Sequence, residues 1–177
     1  MKIGIDVSQV VYSKTGVANY LANLVENLLK LDTKNEYVLF FSSFRRELDL
    51  SLFNIQNSPR VKIKTFKFPP LFLDFLWNRL HIIPIEWLIG PVDLFITSDW
   101  TEPPTKKSKK ATIIYDLIVY KNPEETARKI IDTQKRKIKW LKKESDVIFT
   151  ISESSKKDIE EILKIDANKI KVIYPAI

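Results

Sequence analysis

Short apolar runs recur along this chain with helix-like segments between them, and that alternation restricts the fold more than any other feature. "KIGIDV" (2–7), "YVLFF" (37–41), "VKIKTF" (61–66), "VDLFITS" (92–98), "ATIIYD" (111–116), "DVIFTIS" (146–152) and "KIKVIYP" (169–175) read as strands. Between the first two, Val17, Leu21, Leu24, Val25, Leu28 and Leu31 fall on one helical face. Residues 71–89 are helical in pattern but contain Pro84, which predicts a kink or two short helices. Asn122-Pro123-Glu124-Glu125 reads as a capped helix start, with the helix reaching Ser145 and Ala127, Ile131, Ile138 and Leu141 on its inner face. Residues 153–164 supply the last helix. Strands that are apolar throughout and alternate with helices indicate a parallel sheet covered on both faces. The expected fold is therefore a Rossmann-like, doubly wound α/β domain with a mostly parallel sheet. At 177 residues it is expected to be a single domain. "VKIKTF" alternates apolar residues with Lys62 and Lys64, as a half-exposed edge strand would.

Sheets of this kind bind ligands beyond the carboxyl ends of their strands. Those ends are polar here. The first strand runs out in Asp6 and Ser8, and a loop of Ser13, Lys14, Thr15 and Gly16 leads into the first helix. The others finish in Ser98-Asp99, Tyr115-Asp116 and Ser152-Glu153. An acid at the end of a buried strand thus marks a rim at which a site can form.

Each of these residues also has a plain structural role open to it. Ser152 fits as a helix N-cap, with Glu153 as a first-turn acid facing the helix dipole. Asp116 can fasten its own loop by accepting from nearby backbone amides. Gly16 can be an ordinary turn glycine, since the dinucleotide fingerprint needs three glycines at fixed spacing and the chain's three stand at 4, 16 and 90. The aromatic residues between 66 and 100 fit core packing better than a base-stacking platform.

The absence of cysteine excludes thiol catalysis, disulfides and cysteine-held metal, and a single histidine, His81, argues against a histidine metal cluster. No run reaches the roughly 18 apolar residues of a membrane span, and Asp6 interrupts any signal-peptide core, so a cytoplasmic chain is expected. The net charge of +7 and the "KKSKK" cluster (106–110) suit phosphorylated or other anionic partners without choosing among them. No aromatic–basic motif of known geometry supports nucleic acid as a partner. The apolar segment 66–91 together with Lys106, Lys107, Lys109 and Lys110 matches the composition of a reversible attachment to an anionic membrane surface.

The segments "KIGIDVSQVVYSKTGVANYLANLVENLL", "PVDLFITSDWTEPP", "ATIIYDLIVYKNPEE", "ESDVIFTISESSKKDIEEIL" and "KIKVIYPAI" resemble, in order and spacing, the amino-terminal domain of group 1 (family 4) retaining GT-B glycosyltransferases. The resemblance covers essentially the whole chain. It implies an acceptor-side domain of a hexosyltransferase that uses a nucleotide-sugar donor and a saccharide or lipid-linked acceptor, and it requires no cofactor and no metal. Where that family commonly has a His before the Asp, this chain has Tyr115, which can hydrogen-bond but cannot act as a base at neutral pH. Asp116 keeps the acidic position. By the resemblance Asp116 and Tyr115 are the catalytic candidates. Lys14, Thr15 and Gly16 would face the donor phosphates at a helix N-terminus, and Ser98, Asp99, Ser152 and Glu153 complete the substrate-binding rim. The family's carboxyl-terminal domain, which holds most of the donor, would begin where this sequence stops at Ile177. An isolated acceptor-side domain is therefore the expectation, with a non-catalytic α/β binding or partner domain as the alternative.

Overall fold

A computed structural model describes residues 1–12, 14–53 and 58–175; Ser13 of the predicted first loop, and Ala176 and Ile177 of the last matched segment, lie outside them. Seven strands form one sheet in the order β3-β2-β1-β4-β5-β6-β7, and every pairing is parallel. They are β1 (Lys2–Asp6), β2 (Glu36–Ser42), β3 (Val61–Phe66), β4 (Leu94–Thr97), β5 (Lys109–Ile114), β6 (Val147–Thr150) and β7 (Ile170–Val172). The helices are α1 (Gly16–Leu31), α2 (Pro70–Leu73), α3 (Glu86–Ile89), α4 (Ile118–Lys121), α5 (Arg128–Glu144) and α6 (Glu153–Leu163). This is the Rossmann-like doubly wound arrangement, with β3 as the half-exposed edge.

Three apolar clusters hold the layers together. Ile5, Leu21, Val25, Leu39, Phe41 and Ile113 pack α1 onto one face of the sheet. Phe40, Trp77, Ile85, Ile89 and Phe95 fill the opposite face under α2 and α3. Ile138, Leu141, Ile148, Ile159 and Leu163 join α5 and α6 to the β5–β6 end. Gly4 is required where β1 passes β4, since a Cβ there would lie 2.7 Å from the Phe95 ring and 2.9 Å from Ile89.

The 71–89 segment does divide into short pieces. α2 continues as a π-helical stretch, Asp74–Arg79, and Pro84 sits in the gap before α3. In that gap His81 and Ile83 adopt positive φ, 54° and 63°, a costly conformation for a β-branched residue. The surroundings pin it. Trp77 Nε1 donates to the Ile83 carbonyl at 3.0 Å, and the His81 ring stacks on Trp140 with centroids 3.6 Å apart.

Two sequence expectations are corrected here. Asn122 does not cap a long helix. The chain forms α4, then a single 3-10 turn at Pro123–Glu125, then extends through Thr126 and Ala127 before α5 begins at Arg128. A residue before proline is pushed out of the helical region, so Asn122 ends α4, and Ala127 is exposed rather than on the inner face. Ile138 and Leu141 do lie on the inner face, joined there by Thr133 and Lys137, while Ile131 is half-buried. The second correction concerns the Lys106–Lys110 cluster, which is not a uniformly solvated patch. Lys110 is 1% exposed, and its Nζ lies 2.7 Å from Glu144 and 3.7 Å from Glu102. Lys109 pairs with Asp146 at 3.3 Å. The turn itself wraps the Glu86 carboxylate, which accepts from the backbone N–H groups of Lys106, Lys107 and Ser108. Burial opposes ionisation of Glu86, but these donors outweigh it and hold its pKa below the usual value. The cluster also lies at the amino-terminal end of β5, across the sheet from the polar strand ends.

Candidate functional site at the strand ends

The carboxyl ends of β1, β2, β4 and β5 open into two neighbouring cavities. One, of about 260 Å³, lies over the β1–β4 switch point and is bordered by Asp6, Ser8, Ser42, Asp74, Trp100 and Thr133. The other, of about 300 Å³, lies between the β5 end, α4 and α5, and is bordered by Asp99, Trp100, Tyr115, Asp116, Gln134 and Lys137. Trp100 and Ile130 border both, so the loop after β4 forms the wall between them.

That loop is fastened from several sides. Asn78, on the π-helical stretch, donates to the Trp100 carbonyl at 2.8 Å and accepts from the Glu102 N–H at 2.9 Å. The fully buried Glu102 carboxylate accepts from Thr97 Oγ1 at 2.9 Å and Thr112 Oγ1 at 2.8 Å. Burial raises the Glu102 pKa, while Lys110 and Lys137 pull it back down. Asp74, at the cavity border, is held by Arg136 at 2.8 Å and by Asn78 at 2.9 Å. A chain of polar contacts therefore runs from His81 and Glu144 through Lys110 and Glu102 to the loop.

The residues named from the sequence separate into groups. Asp99, Tyr115 and Asp116 meet at the second cavity. Asp116 is exposed, and its Oδ1 accepts from the Ile118 N–H at 3.1 Å, so it also fastens its own turn. Tyr115 is buried beneath the rim, 3.1 Å from Ser98 Oγ and edge-on to Tyr20. Burial raises its pKa further above the ordinary tyrosine value. Ser98 is buried with it. Asp99 is pushed up by burial and lowered by Lys137 and Gln134.

Lys14, Thr15 and Gly16 stand exposed at the start of α1, where Thr15 Oγ1 caps the helix by accepting from the Ala18 N–H at 3.2 Å. They border neither cavity, although Val17 in the same turn borders the second. Ser152 is the N-cap of α6, accepting from the Ser155 N–H at 3.1 Å, and Glu153 takes a long bond from Tyr174 at 3.4 Å. Neither borders a cavity, but Ser155 Oγ donates to the Tyr115 carbonyl at 3.0 Å and so steadies the rim.

Sequence reasoning missed Asp74, Trp100 and Lys137. Lys137 had a visible signal: Thr133, Lys137 and Leu141 follow at four-residue spacing, which places the lysine on the core face of α5. Its Nζ donates to the Ser98 carbonyl and lies 3.4 Å from the Ile113 carbonyl. Burial lowers its pKa, and Glu102, Asp99 and Asp6 oppose that shift.

A parallel doubly wound sheet with two cavities beyond its strand ends defines a Rossmann-like domain. The family model for Glycosyltransferase Family 4 matches residues 14–177, and the chain belongs to that family, making it a glycosyltransferase-type domain. No curated protein matches the chain.

Proposed function

We propose that this domain is the acceptor-side half of a retaining glycosyltransferase that moves a hexose from a nucleotide sugar to a saccharide or lipid-linked acceptor. The observation that carries the reading is the carboxylates set into the largely apolar linings of the two cavities. Asp99 and Asp116 face one of them and Asp74 the other. Carboxylates of this kind accept hydrogen bonds from sugar hydroxyls and repel a diphosphate. The donor phosphates belong instead near Lys14 and Gly16 at the start of α1, where backbone N–H groups and the helix dipole favour an anion. The larger share of the donor would lie on a second domain, whose positive groups stabilise the leaving diphosphate. Asp116 orients the acceptor hydroxyl or the transferred sugar at the rim. Tyr115 lies beneath the rim, where its hydroxyl meets Ser98.

Titration calorimetry of residues 1–177 with a panel of UDP- and GDP-hexoses tests this division. The expected dissociation constants lie above about 1 mM, the equivalent of roughly −4 kcal/mol. Micromolar binding would place the donor site on this domain and sink the acceptor-side assignment.

The same reading extends to a peripheral position on an anionic membrane. Its support is that Leu71, Phe72, Phe75, Leu80, Ile82 and Trp87 remain exposed, although the rest of their segment is core. Because Lys110 is buried and Lys109 pairs with Asp146, the cationic contribution of the cluster rests on the exposed Lys106 and Lys107, whose backbone amides bind Glu86 beside Trp87. Lys139 and Lys143, both over the Trp140 ring that stacks on His81, are further candidates. Sedimentation with anionic vesicles should show binding that weakens with salt and is lost in Phe72→Ser/Phe75→Ser. Equal recovery with neutral vesicles, or none with either, would remove the membrane from the account.

A further inference from the structure

Lys137 is 2% exposed and makes no ion pair within contact distance among the described residues. An ammonium has three protons to place. One goes to the Ser98 carbonyl and a second toward Ile113 at the long distance of 3.4 Å. The third has no acceptor among the described residues, and Lys137 borders the second cavity. A buried cation left with an unused donor is costly unless something completes it.

The other groups around this cavity narrow what that partner is. Asp99 and Asp116 accept hydrogen bonds, so they disfavour a phosphate or carboxylate beside them. Lys137 disfavours a cation. A neutral group that both accepts and donates satisfies all three, and adjacent hydroxyls on a sugar ring do so with one rigid unit. Trp100 on the shared wall and the apolar side chains of Ile118 and Ile130 suit the C–H faces of such a ring.

We propose that the second cavity holds one pyranose of the acceptor by a vicinal diol, with Lys137 Nζ donating to one hydroxyl oxygen and Asp99 accepting from its neighbour. The assignment rests on the acceptor-side reading and adds a substrate class and a specificity residue to it. The probes are the methyl glycosides of glucose, galactose and mannose, titrated at millimolar concentration into residues 1–177 and followed by ligand-observed magnetic resonance. At least one is expected to bind, and Lys137→Met is expected to weaken it about tenfold or more, the size of a lost hydrogen bond to a charged group. Lys137→Met keeps the volume of the stem but withdraws the cation that faces Glu102, Asp99 and Asp6, so its melting temperature is measured beside wild type. Should it not fold, Asp99→Asn decides the matter by the same loss. A glycoside bound equally well by wild type and Lys137→Met, or by wild type and Asp99→Asn, overturns the diol site while leaving the acceptor-side reading in place. No binding of any of the three to wild type also overturns it. The acceptor-side reading itself stands or falls on the nucleotide-sugar titration.

Discussion

Asp116→Asn is expected to lower kcat/KM for the proposed glycosyl transfer by more than tenfold, which is over about 1.4 kcal/mol of transition-state stabilisation. Its melting temperature should stay within about 1 °C, the behaviour of an exposed substitution away from core features. The structure makes this an informative substitution. Asp116 is exposed, and its one intramolecular bond is accepted by Oδ1 from the Ile118 N–H. Asparagine keeps that oxygen and the turn it fastens, so only the charge is removed. Full activity in the variant would show that Asp116 serves its loop alone. A large drop in melting temperature would show that the carboxylate matters to folding in a way the exposed geometry does not provide for.

Glu102→Ala should be the most damaging single change to stability near the site, at about 3 to 5 kcal/mol, the range for removing one partner from a buried charged pair. At roughly 2 to 4 °C per kcal/mol for a domain of this size, the melting temperature would fall by about 10 °C. The loss has identifiable parts. Thr97 and Thr112 lose the carboxylate to which their hydroxyls donate, and Lys110 keeps only Glu144. The loop carrying Trp100 between the cavities loses the Glu102 carboxylate as an anchor and retains Asn78. Glu102→Gln keeps both polar positions and should cost much less. Thermal denaturation of the two variants beside wild type checks the order. Equal melting temperatures for wild type and Glu102→Ala would mean that the buried network is energetically idle.

Much of the fold was legible because it is written in local pattern. Parallel strands buried on both faces are apolar throughout, so β2, β4 and β5 stood out, and the alternating lysines of β3 marked an edge. The polar strand ends were legible for the same reason: Asp99, Tyr115 and Asp116 interrupt apolar runs, and the fold rule for open parallel sheets gathers such interruptions on one rim. What failed was non-local. Nothing near Trp100 or Glu102 in sequence shows that Asn78, more than twenty positions earlier, will hold both. Lys110 looked like one of a solvated row, yet strand alternation turns it inward toward Glu102 while Lys109 points out to Asp146. Lys137 was passed over because lysine is seldom buried. The Asn122-Pro123 signal was real turn chemistry attached to the wrong helix, closing α4 rather than opening α5.

The central claim is that the acid-rich strand ends receive the acceptor and leave the donor's nucleotide to another surface. Backbone amide shift mapping of residues 1–177, with an oligosaccharide and a UDP-hexose titrated separately, tests it most directly. The account predicts saccharide-induced shifts concentrated at Asp99, Trp100, Tyr115, Asp116, Ile130 and Lys137, with any nucleotide response weak and confined to the first turn of α1. A nucleotide sugar that shifts Asp99 and Asp116 strongly, with saccharides shifting nothing there, would contradict it.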